Sequence, residues 1–273
     1  MKLFITGGTG FIGSCFIECA LNKGYEVFAL TREKNKLKHK NLKWIIGDLN
    51  TSDYSEIKDS NVIVHMAAHG VRPEEENWES CFNVNVHGLL NLLESSVKYE
   101  INKYIILGSC FEYGRSGERY EFIPVDAPIE PIGPYATSKA AATLTAMGFA
   151  RYYGKKLSII RPFHVFGKGE SKNRFWPSLI KSAKEGKDFK MTKGDIIRDF
   201  IDVTDLSLML LDYIEKIDLK DGKPIITNVG TGEPKRLLDF AEYWWNKLGA
   251  TGNLIPGAIP SRKNEIMRFV PEL

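Results

Sequence analysis

The chain has 273 residues, 43% of them hydrophobic and 26% charged. That ordinary globular composition excludes disordered, collagenous and coiled-coil classes, and the length suits one large or two small domains with a sizeable core. A formal net charge of +3 is too mild to name nucleic acid or an anionic membrane as a partner.

Taken in chain order, Met1-Lys2-Leu3-Phe4-Ile5 could open a signal peptide, but Thr6-Gly7-Gly8-Thr9-Gly10 interrupts the apolar stretch too soon. No apolar run approaches the ~20 residues of a membrane span, so a cytoplasmic protein is expected, with Cys15, Cys19, Cys81 and Cys110 reduced. Cys15 and Cys19 lie four apart on a presumed helix, where two core thiols are favoured over a metal pair because no second Cys/His pair is near. No metal is expected.

Short apolar runs at 2–6, 26–31, 42–46, 61–66, 103–107 and 157–161 are rich in Ile, Leu and Val and lack strict alternation. Strands of a parallel sheet covered on both faces have this look. Between them, 11–23, 78–99 and 135–153 read as helices. The series predicts an α/β fold, a Rossmann doubly wound parallel sheet. Beyond residue 161 the pattern loosens into helices over 177–185, 205–216 and 234–248 and strands over 196–203 and 224–229. This divides the chain into a dinucleotide-binding domain over 1–165, its sheet completed by parts of 196–230, and a smaller substrate-binding part, mainly 166–273, interleaved with it.

Thr6-Gly7-Gly8-Thr9-Gly10-Phe11-Ile12-Gly13 joins the first strand to the first helix, the context a dinucleotide-binding glycine loop requires. Gly7 serves the tight turn, Gly10 the approach of backbone to pyrophosphate, and Gly13 the packing of helix on strand. The helix start at Phe11 and Ile12 offers free N–H groups to the anion. The second strand runs into Thr31-Arg32, with Glu33 one place later. A base here suits the 2′-phosphate of NADP(H), so Arg32 is expected on that phosphate with Thr31 assisting; NAD is the alternative, with Arg32 a plain surface charge. The basic stretch Lys34, Lys36, Lys38 and Lys40 reads as a solvated loop. Asp48-Leu49 follows the third strand, where an acid can bond the adenine, and Ala67-Ala68 follow the fourth, where small residues leave room for the cofactor.

Tyr135 and Lys139 are four apart and so share a helix face. An ammonium beside a phenol is expected to lower the phenol from about 10 towards neutrality, and such a tyrosine can exchange the proton of a carbonyl/alcohol pair while a hydride moves. Ser109, at the end of the fifth strand, can bond the same oxygen. Alone, Y-x-x-x-K is a common exposed pair; beside a strand-end serine and a glycine loop, it reads as catalytic.

With these motifs in place, the sequence resembles the extended short-chain dehydrogenase/reductases, within the NAD(P)-dependent epimerase/dehydratase group acting on nucleotide sugars. The resemblance runs to about residue 268 and rests on Gly7–Gly13, Asp48-Leu49, His65–Ala68, Asn85, Ser109 with Tyr113-Gly114, Tyr135/Lys139, Arg161-Pro162 and Arg198-Asp199-Phe200-Ile201-Asp202-Val203. It implies Ser109, Tyr135 and Lys139 as the catalytic set, with Tyr135 and Lys139 also touching the cofactor, and Asn85 shaping the site without reacting. It implies a nucleotide-sugar substrate whose diphosphate Arg198 and Arg262 would hold, a guanidinium–phosphate geometry that is chemically apt. It also implies a homodimer through the helices over 78–99 and 135–153.

Nucleotide-sugar 4,6-dehydratases place Asp and Glu directly after the catalytic Ser/Thr; here Cys110 and Phe111 stand there, which argues against a dehydratase. Glu112 comes one place late and, if strand-like alternation continues past Ser109, is expected to point the other way. Cys110 is expected as a small lining residue. His164 stands where most of the family has a substrate-contacting Asn. With Arg198 and the segment 257–267, His164 resembles the CDP-abequose synthase type of 4-ketoreductase. The implied activity is NADPH-dependent reduction of the C4 ketone of a nucleotide-linked 4-keto-6-deoxy or dideoxy hexose in deoxysugar biosynthesis. A 4-epimerase with bound cofactor is the alternative, and a non-catalytic NADP-binding protein the third reading. The chain ends at Leu273, short of the family's usual final helix, which bears on how the sugar pocket closes.

Overall fold

The computed structural model describes all residues except 34–36, 52–53 and 262–264. The first half alternates β1 (Lys2–Thr6), α1 (Phe11–Asn22), β2 (Glu26–Thr31), β3 (Leu42–Ile46), β4 (Val62–His65), α2 (Trp78–Phe82), α3 (Leu89–Val97), β5 (Lys103–Leu107), α4 (Gly133–Tyr153) and β6 (Lys156–Pro162). Then come β7 (His164–Phe166), α5 (Phe175–Lys184), β8 (Phe189–Lys190), β9 (Ile197–Asp202), α6 (Val203–Lys216), β10 (Ile225–Val229), β11 (Pro234–Arg236), α7 (Leu237–Lys247), β12 (Leu254–Ile255) and β13 (Arg268–Phe269).

Seven strands form one sheet in the order β10-β6-β5-β4-β1-β2-β3, and every adjacent pair is parallel. Successive side chains on a strand point to opposite faces. Leu3 and Ile5 therefore pack with Phe16 and Ile17 of α1 and Leu206 and Leu210 of α6. Phe4 packs instead with Leu89 and Leu92 of α3 and Ala142 and Ala146 of α4. Both faces being covered, both parities must be apolar, which is why these strands read as continuous apolar runs. Each Leu or Ile so buried contributes about 1.5–3 kcal/mol before entropy is counted.

Several elements depart from expectation. The helix expected over 78–99 is interrupted by a π-helical turn at Asn83–Gly88 and ends at Val97. Residues 234–236 extend into β11, antiparallel to β9, before α7 begins, because pairing with a remote strand outweighs the helical pattern there. Of the two strands placed in the region 196–230, β10 joins the main sheet, whereas β9 builds a second sheet with β7, β11 and β13. α5 and α4 each start two residues earlier than expected, at Phe175 and Gly133; Pro134 and Pro177 fall in their first turns, where a missing N–H costs nothing.

In the Arg198–Val203 segment, Asp199 is fully buried and accepts from the Thr231 N–H and hydroxyl and the Gly232 N–H. Asp202 accepts the Thr204 N–H at 2.7 Å and caps α6. Both acids hold backbone.

Candidate active site

Because all seven strands of the main sheet run the same way, their C-terminal ends share one edge. Gly7 follows β1, Arg32 β2, Asp48 β3, Ala67 β4, Ser109 β5 and His164 β6. Topology alone thus collects residues spread over much of the chain on the edge where α/β sheets bind ligands.

Gly7 has φ +75°, and a Cβ there would lie 2.5 Å from the Ala67 nitrogen. At Gly13 a Cβ would fall 2.1 Å from the Gly7 carbonyl oxygen, so α1 can press on the loop only through glycine. Gly10 is the N-cap, with no side-chain cap and no acid in the first turn of α1; Gly10 is exposed and Phe11 and Ile12 half-buried. The N–H groups at this helix end are left to an anion, and the residues fit the pyrophosphate of a dinucleotide. Arg32 is exposed at the tip of β2. The Thr31 hydroxyl donates to the Glu33 carbonyl at 2.9 Å, so it is already engaged within its own turn. Asp48 is half-buried and accepts the Asn50 N–H at 2.9 Å; Leu49 is buried, and Ala67 and Ala68 are half-buried.

Ser109 and Lys139 are buried and Tyr135 half-buried. The Lys139 Nζ donates to the Leu107 carbonyl at 2.5 Å, which anchors α4 to the end of β5. The expected lowering of the Tyr135 phenol is corrected here. Burial raises the phenol well above its ordinary value, with Cys110 and Glu112 adding to the rise and Ser109 opposing it. Burial instead lowers Lys139, to about 8, against the pull of Glu112. Desolvation is the largest influence on both groups; the phenol stays protonated while the ammonium is near its titration point.

Asn85, in the π turn, accepts the His69 N–H at 2.7 Å and donates to the His69 carbonyl and, at 2.8 Å, to the Ser138 hydroxyl. These bonds tie the strand-end loop after β4 to α4 beside Tyr135 and Lys139. A π turn aims Asn85 at both partners, and such turns recur at functional sites.

Past Ser109, Cys110 is 3% exposed among Tyr113, Ile123, Phe163 and Phe269, with its thiol pushed up to about 12, chiefly by burial. It is as buried as Ser109 and Lys139 and lies within electrostatic reach of Arg198 and Tyr135. Phe111 is exposed, and its ring centroid lies 6.5 Å from Tyr135, 5.8 Å from His164 and 6.2 Å from Phe269. Glu112 is fully buried, with both oxygens engaged by protein donors. It does point away from open space, but through a 3-10 turn over Cys110–Glu112 capped by Ser109 and not through the strand alternation on which the expectation rested.

His164 sits in β7 opposite Phe200 of β9, and its buried Nδ1 has no partner among the described residues. Burial, with Arg198 and Arg174 nearby, holds the imidazole neutral. The Arg198 guanidinium donates to the carbonyls of Ile197, Met267 and Ile266, which fixes its orientation. Arg262 lies outside the described residues. One cation went unread in the sequence: Arg174 precedes α5, pairs with Glu170 at 3.5 Å, and acts electrostatically on both Tyr135 and His164. A basic residue just before a helix that faces the site was the available signal. Among the described residues no group of three or more His, Cys, Asp or Glu is placed to hold a metal, and no helix is long and apolar enough to cross a membrane.

Comparisons with known proteins bear on this arrangement. The family model described as "NAD dependent epimerase/dehydratase family" matches residues 3–230. A Methanocaldococcus jannaschii protein provisionally named a UDP-glucose 4-epimerase is 30% identical over 93% of this chain and 84% of its own length. CDP-abequose synthase of Salmonella typhimurium is 27% identical over 97% of this chain and 87% of that protein. Among solved structures, MoeE5 in complex with UDP-glucuronic acid and NAD superposes with a TM-score of 0.87 at 24% identity, covering 100% of this chain and 90% of that one. The chain belongs to the NAD-dependent epimerase/dehydratase family, the nucleotide-sugar enzymes of the extended short-chain dehydrogenase/reductases.

Proposed function

We propose that the protein is an NADPH-dependent reductase of the C4 ketone of a nucleotide-linked 4-keto-6-deoxy or dideoxy hexose. One observation carries this reading: the Ser109 hydroxyl bonds Tyr135 and Lys139 is anchored on the Leu107 carbonyl just before that serine, while the turn beyond Ser109 offers a buried thiol, an apolar ring and a locked carboxylate. A hydroxyl proton can move there, but no free acid or base stands ready for elimination.

The cofactor, when bound, supplies the hydride. As it reaches C4, the carbonyl oxygen gains negative charge and takes the proton of the Tyr135 phenol, which burial keeps in the donating form. Ser109 bonds the same oxygen, and the Lys139 ammonium stabilises the phenolate left behind. The pinned guanidinium of Arg198, with Arg174 across the site, suits a substrate diphosphate, and the unpartnered His164 Nδ1 suits a sugar hydroxyl. Arg262 retains the second diphosphate role assigned from resemblance. Arg32 supports NADP(H); NAD remains the alternative, as in the MoeE5 complex.

A second reading is a 4-epimerase that retains its cofactor and runs the same three residues in both directions. The relative named for UDP-glucose 4-epimerase favours it. We assign the 1–165 and 166–273 parts to cofactor and substrate respectively, with β10 and α6 returning to the first. A homodimer through α2, α3 and α4 is supported by exposed Trp78, Leu144 and Tyr152. Four free thiols fit a reducing, cytoplasmic location.

Tyr135→Phe tests the reacting set. Turnover is expected to fall by at least about 100-fold while cofactor affinity, followed by fluorescence titration, persists. Full activity in this variant contradicts the mechanism, whereas cofactor binding without turnover in the unaltered protein returns the non-catalytic reading.

A further inference from the structure

Glu112 has no place in the reaction above, yet it is the most constrained acid near it. Its Oε1 accepts the Ser109 backbone N–H at 2.8 Å. Its Oε2 accepts from the Arg161 Nε at 2.9 Å and lies 2.9 Å from Nη2. Arg161, 2% exposed on β6, stacks 4.6 Å from the Tyr113 ring centre and donates to the Val125 carbonyl at 3.4 Å. The backbone is cut to admit the pair: a Cβ on Gly108 would lie 2.6 Å from Glu112 Oε1 and 3.2 Å from Arg161 Cγ. Buried ion pairs are often no more stabilising than apolar side chains of the same volume. Stability alone is therefore a poor reason for placing this one directly behind a reacting serine.

We infer that Glu112, clamped by Arg161, is a positioning residue of the site, one oxygen fixing the Ser109 backbone while its fixed negative charge supports the Lys139 ammonium. This rests on the reading of Ser109, Tyr135 and Lys139 as the reacting set. The groups that face Glu112 are Arg161 from β6, Lys139 and Tyr135 from α4, and Cys110 and Tyr113 from its own turn. His65 faces Lys139 from β4 and is itself held neutral, at about 3, by burial. Glu112 is thus the negative charge that opposes the burial of Lys139. The carboxylate touches neither cofactor nor substrate and acts through its neighbours.

Glu112→Gln tests this, since the amide oxygen can still take the Ser109 N–H while the charge is gone. Lys139 is titrated by NMR of carbon-13-labelled lysine, its resonance assigned by its absence in Lys139→Met. The Lys139 titration is expected to move down by about one pH unit. The alkaline fall in kcat moves with it, and KM stays within about twofold because no substrate contact is lost. Glu112→Gln strands the Arg161 charge and loses stability, so Glu112→Gln/Arg161→Met is measured beside it. The neutral pair regains the thermal midpoint but keeps the shifted Lys139 titration. An unmoved Lys139 resonance in either folded variant, or its return to the wild-type position in the double variant, overturns the inference. The resonance reports on Glu112 whether or not a substrate turns over, so a shifted titration without turnover supports the inference and removes the proposed reaction instead.

Discussion

Arg32 reduces the choice of cofactor to one guanidinium. The Thr31 hydroxyl beside it is spent on the Glu33 carbonyl, so a 2′-phosphate would meet Arg32 without that help. A hydrogen bond to a charged group contributes about 1.5–3 kcal/mol, roughly tenfold or more in affinity. Arg32→Ala is therefore expected to raise the KM for NADPH about tenfold or more, leaving kcat and the KM for NADH near wild type in initial-rate measurements. Equal changes for both cofactors, or none, contradict the assignment. At this scale, Ser109, Tyr135 and Lys139 were legible because their spacing and strand-end context are local. The Glu112–Arg161 pair was not, since its members are 49 residues apart and meet only when β5 and β6 align. The pKa order of Tyr135 and Lys139 was also hidden, because it depends on burial that no spacing reveals.

Among the elements, the β1–α1 unit makes the sharpest claim. A Cβ at Gly13 would meet the Gly7 carbonyl oxygen at 2.1 Å and the Gly8 Cα at 2.9 Å, all backbone that can yield only by moving the loop. Gly13→Ala is expected to cost about 1–3 kcal/mol of stability, the usual range for overpacking. Dinucleotide affinity is expected to fall at least about tenfold, because displaced amides no longer converge on the anion. Thermal denaturation and cofactor titration check the two parts, and unchanged affinity would show that the loop does not hold the phosphates. The inner strands β1, β4 and β5 were readable because both faces are buried and their apolar runs are unbroken. The π turn was not, as Asn85 earns its place through bonds to His69 and Ser138 on other elements. Nor was β11, whose pairing with β9 overrides a stretch that continues the helical pattern of α7.

The whole molecule sets one parallel sheet, whose loops form a shared C-terminal edge, against a smaller sheet of β7, β9, β11 and β13. His164 on β7 and Phe269 on β13 carry aromatic contacts from that second sheet to Phe111 beside Tyr135. The candidate site around Ser109 and Tyr135 thus lies where the two layers meet, with guanidinium groups on the side of the smaller sheet. The most direct measurement is NADPH turnover with a panel of CDP-, GDP- and dTDP-linked 4-keto-6-deoxy sugars, following cofactor absorbance and identifying the sugar formed. The account predicts NADPH loss matched mole for mole by one C4-reduced sugar. No oxidation of NADPH, with interconversion of unreduced nucleotide hexoses on bound cofactor alone, would contradict it and establish the epimerase.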